Sequence, residues 1–358
     1  MENKKKPRVI AFYLPQFHPF KENDEWWGKG FTEWTNVGKA KPLFRGHNQP
    51  RVPADLGYYD LRVKDVREQQ AELAREAGVE GFCYWHYWFN HRRQMMDDVF
   101  NDVLETGKPT LPFCLGWANH SWYAKTWNKD MPDKLLCEQQ YLGQEDYDAH
   151  FKYVLKAFND ERYIRIDGCP LFYIFDPLKL PNDFIPYWNK LAREAGFEKV
   201  FFVGKLTKHE DEKALLQKGF SALVPERMGA AYGHNPLWIR VIIRFLKVFS
   251  NKPKFCYSYK YASKFFVNDE DKKEYIIPQI IPQWDHSPRS GTRGTILYNS
   301  TPELFAKHVR AAIGAVKDKK NPIIFLKSWN EWAEGNMMEP DLTFGKGYIN
   351  ALREELER

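Results

Sequence analysis

No Cys-x-x-Cys pair, no glycine-rich phosphate loop and no long apolar run occurs in this chain. The five cysteines, Cys83, Cys114, Cys137, Cys169 and Cys256, are odd in number and scattered, which argues against a zinc site and against a disulfide framework. Cys83 and Cys114 lie inside apolar runs and read as small buried hydrophobes. With no GxGxxG or Walker sequence after any strand-like run, a nucleotide cradle of those kinds is not expected. No run reaches the roughly eighteen apolar residues of a membrane span, so none is predicted. The N-terminus passes from Lys4-Lys5-Lys6-Pro7 straight into Val9-Ile10-Ala11-Phe12, without a signal peptide's apolar segment, and the expected compartment is the cytoplasm. The net charge of +6 is modest and the basic residues are spread, so no nucleic-acid partner is expected. Histidines are scattered rather than set at ligand spacing, so neither a metal nor another cofactor is expected. Oligomeric state leaves no trace in the sequence.

What the chain has in excess is aromatic rings: 13 Trp, 19 Tyr and 26 Phe, 16% of all residues. Trp and Tyr beyond the needs of a core line wet, stacking pockets such as carbohydrate clefts. Strand-like runs at 8–14, 79–85, 111–116, 170–175, 199–203, 222–224, 276–281 and 323–327 alternate with helical patterns at 61–77, 93–106, 146–159, 182–195, 210–218, 302–316 and 348–357. Gly78, Gly107, Gly196 and Gly219 close four of these helices, and Thr301 is an N-cap. The Trp-rich stretch from Gln16 to Tyr59 is too aperiodic for a helix and reads as a long ordered loop. Residues 229–270, with a basic-apolar patch at 236–249 and a Tyr-rich run at 257–261, carry no legible element. The alternation predicts one domain over residues 1–358, a single (β/α)₈ TIM barrel with long loops at the C-terminal face of the strands. A doubly wound sheet is the alternative, without a glycine fingerprint to support it.

In a barrel, residues just past the strand C-termini gather at one face, where sites are built. Those positions here carry His18, then His86 with Tyr87 and Trp88, then Trp117 with Asn119 and His120, then Asp176. Later strands add Glu226 with Arg227, Trp284 with Asp285, and finally Glu331 with Glu334. Taken singly, each has a plainer reading. His18 or His86 suits a hydrogen-bonded core histidine, and Asp176 before Pro177 suits a cap. Arg227 could neutralise Glu226, and Arg289 could neutralise Asp285. The densest stretch is Ser328-Trp329-Asn330-Glu331-Trp332-Ala333-Glu334-Gly335, directly after the apolar Ile323-Ile324-Phe325-Leu326. Carboxylates move protons and indole faces stack on sugar C–H groups, so Glu331 and Glu334 are the candidate catalytic pair. If the backbone turns helically between them, their carboxyls approach to ~5–6 Å, the spacing of retaining glycosidase pairs.

The run Ala11-Phe12-Tyr13-Leu14-Pro15-Gln16-Phe17-His18 with Trp34-Thr35-Asn36-Val37 resembles the WbsX-type polysaccharide-biosynthesis proteins. So do Gly81-Phe82-Cys83-Tyr84-Trp85-His86-Tyr87-Trp88, Trp284-Asp285 with Ser287-Pro288-Arg289, and the Trp329 to Gly335 stretch, so that the resemblance covers nearly the whole chain. This group is similar to glycoside hydrolase family 99, the (β/α)₈ endo-α-mannosidases and endo-α-mannanases, chiefly in Asn-Glu-Trp-x-Glu-Gly and the Glu339-Pro340 after it. The resemblance implies that Glu331 deprotonates the sugar 2-hydroxyl, which displaces the leaving group through an epoxide-like intermediate. Glu334 would then be the acid that protonates the leaving oxygen and the base that activates water. Family 99 commonly has His where this chain has Ala333, a departure at the leaving-group subsite.

Strand ends and matched motifs together give the candidate substrate-binding set: Tyr13, His18, Trp34, His86, Tyr87, Trp88, Trp117, Asn119, Asp176, Glu226, Trp284, Asp285, Arg289, Trp329, Asn330 and Trp332. The expected partner is a carbohydrate. The expected activity is retaining, metal-independent glycoside hydrolysis of a polysaccharide or oligosaccharide, at a linkage of the α-mannoside kind. Two readings stand beside it: a glycosyltransferase of O-antigen, lipopolysaccharide or other surface-polysaccharide biosynthesis, and a catalytically silent carbohydrate-binding protein.

Overall fold

The computed structural model describes residues 5–124, 133–233, 253 and 255–358. Eight strands carry the strand–helix alternation: β1 (Arg8–Tyr13), β2 (Gly81–Asn90), β3 (Phe113–Trp117), β4 (Cys169–Ile174), β5 (Phe201–Leu206), β6 (Ala222–Pro225), β7 (Gln279–Ile280) and β8 (Ile323–Leu326). The chain divides into two compact units, one of residues 1–18, 32–80 and 225–358, the other of residues 19–31 and 81–224.

In the first unit β8 lies between β1 and β7, parallel to both, with Arg8 opposite Ile323, Ala11 opposite Leu326 and Gln279 opposite Phe325. All four residues of β8 are buried, as parallel strands covered on both faces require. β7 is shorter than the predicted 276–281 because Pro278 has no N–H to give the ladder. Its carbonyl still accepts the Phe325 N–H at 3.0 Å, so the register survives the proline. The helix Gly347–Glu357 packs on Pro302–Val316 and on Lys64–Glu76. Thr301 caps the second of these as predicted, its side chain accepting the Leu304 N–H.

In the second unit the strands run in the order β6-β5-β4-β3-β2. Two expectations are corrected here. β2 does not stop at Trp85 but continues to Asn90 and turns back into a hairpin with Arg93–Met95, pairing Tyr87 with Met95 and Trp88 with Gln94. The helix expected over 93–106 therefore starts only at Asp98, and it ends at Gly107 in the left-handed conformation, φ 68°. The expected loop from Gln16 to Tyr59 contains two short helices, Lys21–Trp27 in this unit and Glu33–Gly38 in the first. The latter is fixed by a capping box of Thr32 and Thr35 rather than by periodicity, which six residues are too few to display. The Tyr-rich run begins as a strand, Phe255–Ser258, parallel to Thr295–Tyr298. The patch at 236–249 lies outside the described residues. Eight strands in strand–helix alternation, five in one unit and three in the other, make the (β/α)₈ barrel class that the sequence predicts.

Candidate active site

The chain leaves β8 through Lys327 and Ser328 into the two-residue strand Asn330–Glu331, paired antiparallel with Asn336–Met337. Between these, Trp332–Glu334 makes one 3₁₀ turn that Gly335 closes at φ 55°. The hairpin is clamped beside the end of β1. Asn330 Oδ1 accepts the Leu14 N–H at 2.7 Å, and its amide donates to the Leu14 carbonyl at 3.0 Å. A side-chain amide can return both bonds to one residue because it carries a donor and an acceptor together. The Trp329 N–H adds a bond to the Phe12 carbonyl at 2.8 Å.

A turn of three residues brings i and i+3 to one side, and here it brings the two candidate acids into contact. Ser328 Oγ donates to Glu331 Oε1 at 3.1 Å, and Glu331 and Glu334 share a hydrogen bond. The Arg289 guanidinium bridges two carboxylates: Nη1 pairs with Glu334 Oε1, while Nε and Nη2 lie 3.1 Å from Glu33 Oε2. His286 Nε2 is 3.6 Å from Glu334 Oε1. Burial by itself pushes the Glu334 carboxyl up. The Arg289 charge, then His286 and the hydrogen bond from Glu331, outweigh it and hold Glu334 well below the usual carboxylate range.

Lys327 Nζ bonds Glu226 Oε2 at 2.7 Å and sits 5.0 Å from the centre of the Trp284 ring. Burial disfavours its charge, but Glu226, then Glu334 and Glu331, more than restore it. The cluster thus sets four carboxyl groups, Glu33, Glu226, Glu331 and Glu334, against two permanent cations, Arg289 and Lys327, each already bonded to carboxylates. Two pairings offered by the sequence are corrected: Arg289 goes to Glu33 and Glu334 rather than Asp285, and Arg227 goes to Asp271 rather than Glu226.

Asp285 is taken up by other partners. His47 Nε2 and Gln49 Nε2 reach its Oδ2 at 2.7 and 2.6 Å, and the Ser287 N–H reaches Oδ1 at 2.9 Å. His47 Nδ1 accepts the Leu43 N–H, so Nε2 carries the proton and donates. Burial raises the Asp285 carboxyl, yet these bonds lower it overall. Gly335 lies against this residue: a Cβ there would sit 2.7 Å from Asp285 Cβ and 2.9 Å from its backbone nitrogen. Gly335→Ala is therefore expected to cost about 2–4 kcal/mol, from left-handed backbone strain plus overpacking. A urea-denaturation midpoint equal to that of the wild type would overturn this packing account.

Much of the predicted binding set supports the site instead of facing it. Tyr13, His18, Trp329, Asn330 and Trp332 are no more than 1% exposed, which leaves no face for a sugar to touch. Trp34, half-buried, donates from Nε1 to the Tyr59 carbonyl at 2.7 Å and packs on Trp332 at 5.5 Å. In the second unit, His86 Nε2 meets His150 Nε2 at 2.8 Å, and Trp88 stacks on His150 at 4.6 Å. Burial pushes His86 down to about 3, so the pair is neutral, a core device that corrects the ligand reading of His86. Trp117 is buried and donates to the Trp88 carbonyl at 2.8 Å, and Tyr87 packs edge-on to Trp122 at 5.2 Å. Asn119, also buried, accepts the Asp176 N–H at 2.7 Å and donates to its carbonyl at 2.9 Å, while the Asp176 carboxylate pairs with Lys179. Sequence reasoning missed Glu33, His47, Gln70, His286 and Lys327 as site-building groups. Glu339 was singled out only through Glu339-Pro340 as part of the family 99 resemblance.

Among the described residues, no group of three or more His, Cys, Asp or Glu side chains could hold a metal ion, and no helix is long and apolar enough to cross a membrane. Two proteins from strains of Xanthomonas campestris pv. campestris, each called "Uncharacterized protein WxcX", are 32% identical to this chain over 369 residues, 98% of it and 50% of their own length. The chain thus spans about half the length of the curated relatives it matches. A solved "Glycoside hydrolase-like protein" superposes with a TM-score of 0.61 at 15% identity, over 99% of this chain and 95% of its own. The GH99 endo-alpha-mannosidase from Bacteroides thetaiotaomicron does so with a TM-score of 0.58 at 14% identity, over 98% and 96%. At such identities the likeness establishes the fold alone, and the fold is that of the barrel described above. The family described as "Glycosyltransferase WbsX" matches residues 9–352, and the chain belongs to it.

Proposed function

We propose that this protein cleaves a glycosidic bond in a polysaccharide or oligosaccharide with retention of configuration, without a metal, through Glu331, Glu334 and the sugar's own 2-hydroxyl. The observation that carries this reading is the pair of carboxyls sharing one hydrogen bond in a cluster where carboxyl groups outnumber permanent cations. With one proton between them, the armed pair has Glu331 ionised as base and Glu334 protonated as acid. The 2-hydroxyl then gives its proton to Glu331 while its oxygen attacks C1, and the departing oxygen takes the Glu334 proton. Water, deprotonated by Glu334, opens the strained ring at C1, and the ring oxygen regains its proton from Glu331. Both acids return to their armed state. The endo-alpha-mannosidase neighbour favours a linkage of the α-mannoside kind, and Ala333 marks the leaving-group side as the place where specificity differs.

Transfer from a nucleotide sugar in surface-polysaccharide assembly is the second reading, and the family's description favours it. Against it, a diphosphate needs free positive charge, and Arg289 and Lys327 are already engaged by carboxylates. Incubation with α-mannan oligosaccharides and, separately, with UDP- and GDP-sugars is expected to release reducing ends from the former and consume none of the latter. Nucleotide-sugar turnover without glycan cleavage would overturn the hydrolase reading.

A further inference from the structure

Gly335, which follows Glu334 in the chain, and Asp285, against which it packs, also line a cavity of about 230 Å³. Its other walls include three rings, Trp284, Tyr298 and Phe344, and three amides, Asn48, Gln283 and Asn299. We propose that this cavity is a subsite for one uncharged sugar residue of the substrate glycan. The proposal rests on the glycan reading above for its substrate class, and on the cavity for everything else.

Size comes first. Pockets for drug-sized ligands run to ~300–1,000 Å³, so this one suits a single six-membered ring rather than a disaccharide. Charge comes next. The Arg51 guanidinium in the wall pairs with Asp341 at 3.1 Å, and Asp285 is covered by His47, Gln49 and the Ser287 N–H. With both charges answered inside the protein, an anionic sugar has no counter-ion to meet here, whereas a neutral one loses nothing. The lining chemistry agrees, since ring faces suit sugar C–H groups and uncharged amides suit hydroxyls.

The test is made in the Glu334→Gln protein, so that binding is read without turnover. Saturation-transfer NMR and calorimetry use D-mannose, D-glucose and D-galactose, with D-glucuronate as the charged control. One neutral hexose is expected to bind in preference to glucuronate. Asn48→Trp, which places an indole on the exposed side of the cavity, and Tyr298→Ala are each expected to weaken that binding by at least about tenfold. Thermal midpoints matching the parent establish that the variants are folded. Should Tyr298→Ala fail that check, Asn48→Trp and Tyr298→Phe decide. Absence of hexose binding, equal binding in parent and variants, or preference for glucuronate would overturn the subsite. Glycan cleavage by the wild type without hexose binding would sink the subsite and leave the hydrolase reading standing. Hexose binding lost in Asn48→Trp, with no glycan cleaved by the wild type, would do the reverse.

Discussion

Glu334→Gln is expected to lower kcat/KM on a cleavable glycan by about 10²–10⁴-fold, the usual contribution of a positioned acid–base group. Gln keeps the shape of the side chain and can still accept a bond from Arg289, but it cannot hold or release a proton. A loss smaller than about threefold would remove Glu334 from the mechanism. Arg289 sharpens this test. Its charge holds Glu334 ionised in the resting protein, against burial, which favours the neutral acid. In Arg289→Met that opposing charge is gone while burial remains, so the Glu334 carboxyl rises. The limb of the pH–kcat/KM profile on which the acid is lost should then move upward by about 1–3 pH units. An unmoved limb would show that Glu334 is not the titrating acid. For stability the sign is separate. A depressed carboxyl stabilises the fold above its unfolded value, and that stabilisation is lost only as pH falls through the folded one. Once the Arg289 change carries the folded Glu334 value above the unfolded one, the sign reverses, and stability through this group falls as pH rises between the two.

The barrel was legible because its signals are local. The buried run Ile323–Leu326, Thr301 as a cap and Gly107 as a stop each follow from a few neighbouring residues, and the structure has all three. The candidate acids were legible for the same reason, being three residues apart. What surrounds them was not. Arg289 finds Glu33 across 256 residues of sequence, and no spacing rule reaches that far. The aromatic excess was visible, but not the direction of its faces. Trp117, Trp188, Trp329 and Trp332 are among the largest fully buried side chains, so part of that excess builds core in each unit. Charge pairing misled where two near neighbours competed. Asp285, four residues from Arg289, is satisfied by His47 and Gln49 from a distant loop, which frees the guanidinium for Glu334.

The largest effect on folding is expected at Glu339, which is buried and holds Trp332 in place. Its Oε2 accepts the Trp332 Nε1–H at 2.6 Å and the Tyr59 hydroxyl at 2.8 Å, and its Oε1 accepts the Gln70 amide at 2.6 Å. Gln70 Oε1 in turn accepts the Tyr13 hydroxyl at 2.7 Å. Glu339→Leu leaves three buried donors unanswered at about 1–3 kcal/mol each. The total approaches the whole stability of an ordinary domain, about 5–15 kcal/mol, so this variant should be largely unfolded or insoluble. Glu339→Gln keeps one acceptor oxygen and turns an NH₂ toward the remaining donors, so it should fold with a loss of about 2–4 kcal/mol. The pH dependence separates the carboxylate's part from the packing. Burial raises this carboxyl and the donors around it, Trp332 first, then Gln70 and Tyr59, lower it, for a net value of about 7 against an ordinary 4.5. Between those two pH values the folded protein holds the proton more tightly than the unfolded chain, so this group's contribution to stability falls as pH rises through the window. Gln has no such titration. The stability gap between wild type and Glu339→Gln should therefore narrow from pH 5 to pH 8 in urea denaturation. A gap that stays constant, or widens, would mean that Glu339 is already ionised at pH 5 and that its three donors outweigh its burial.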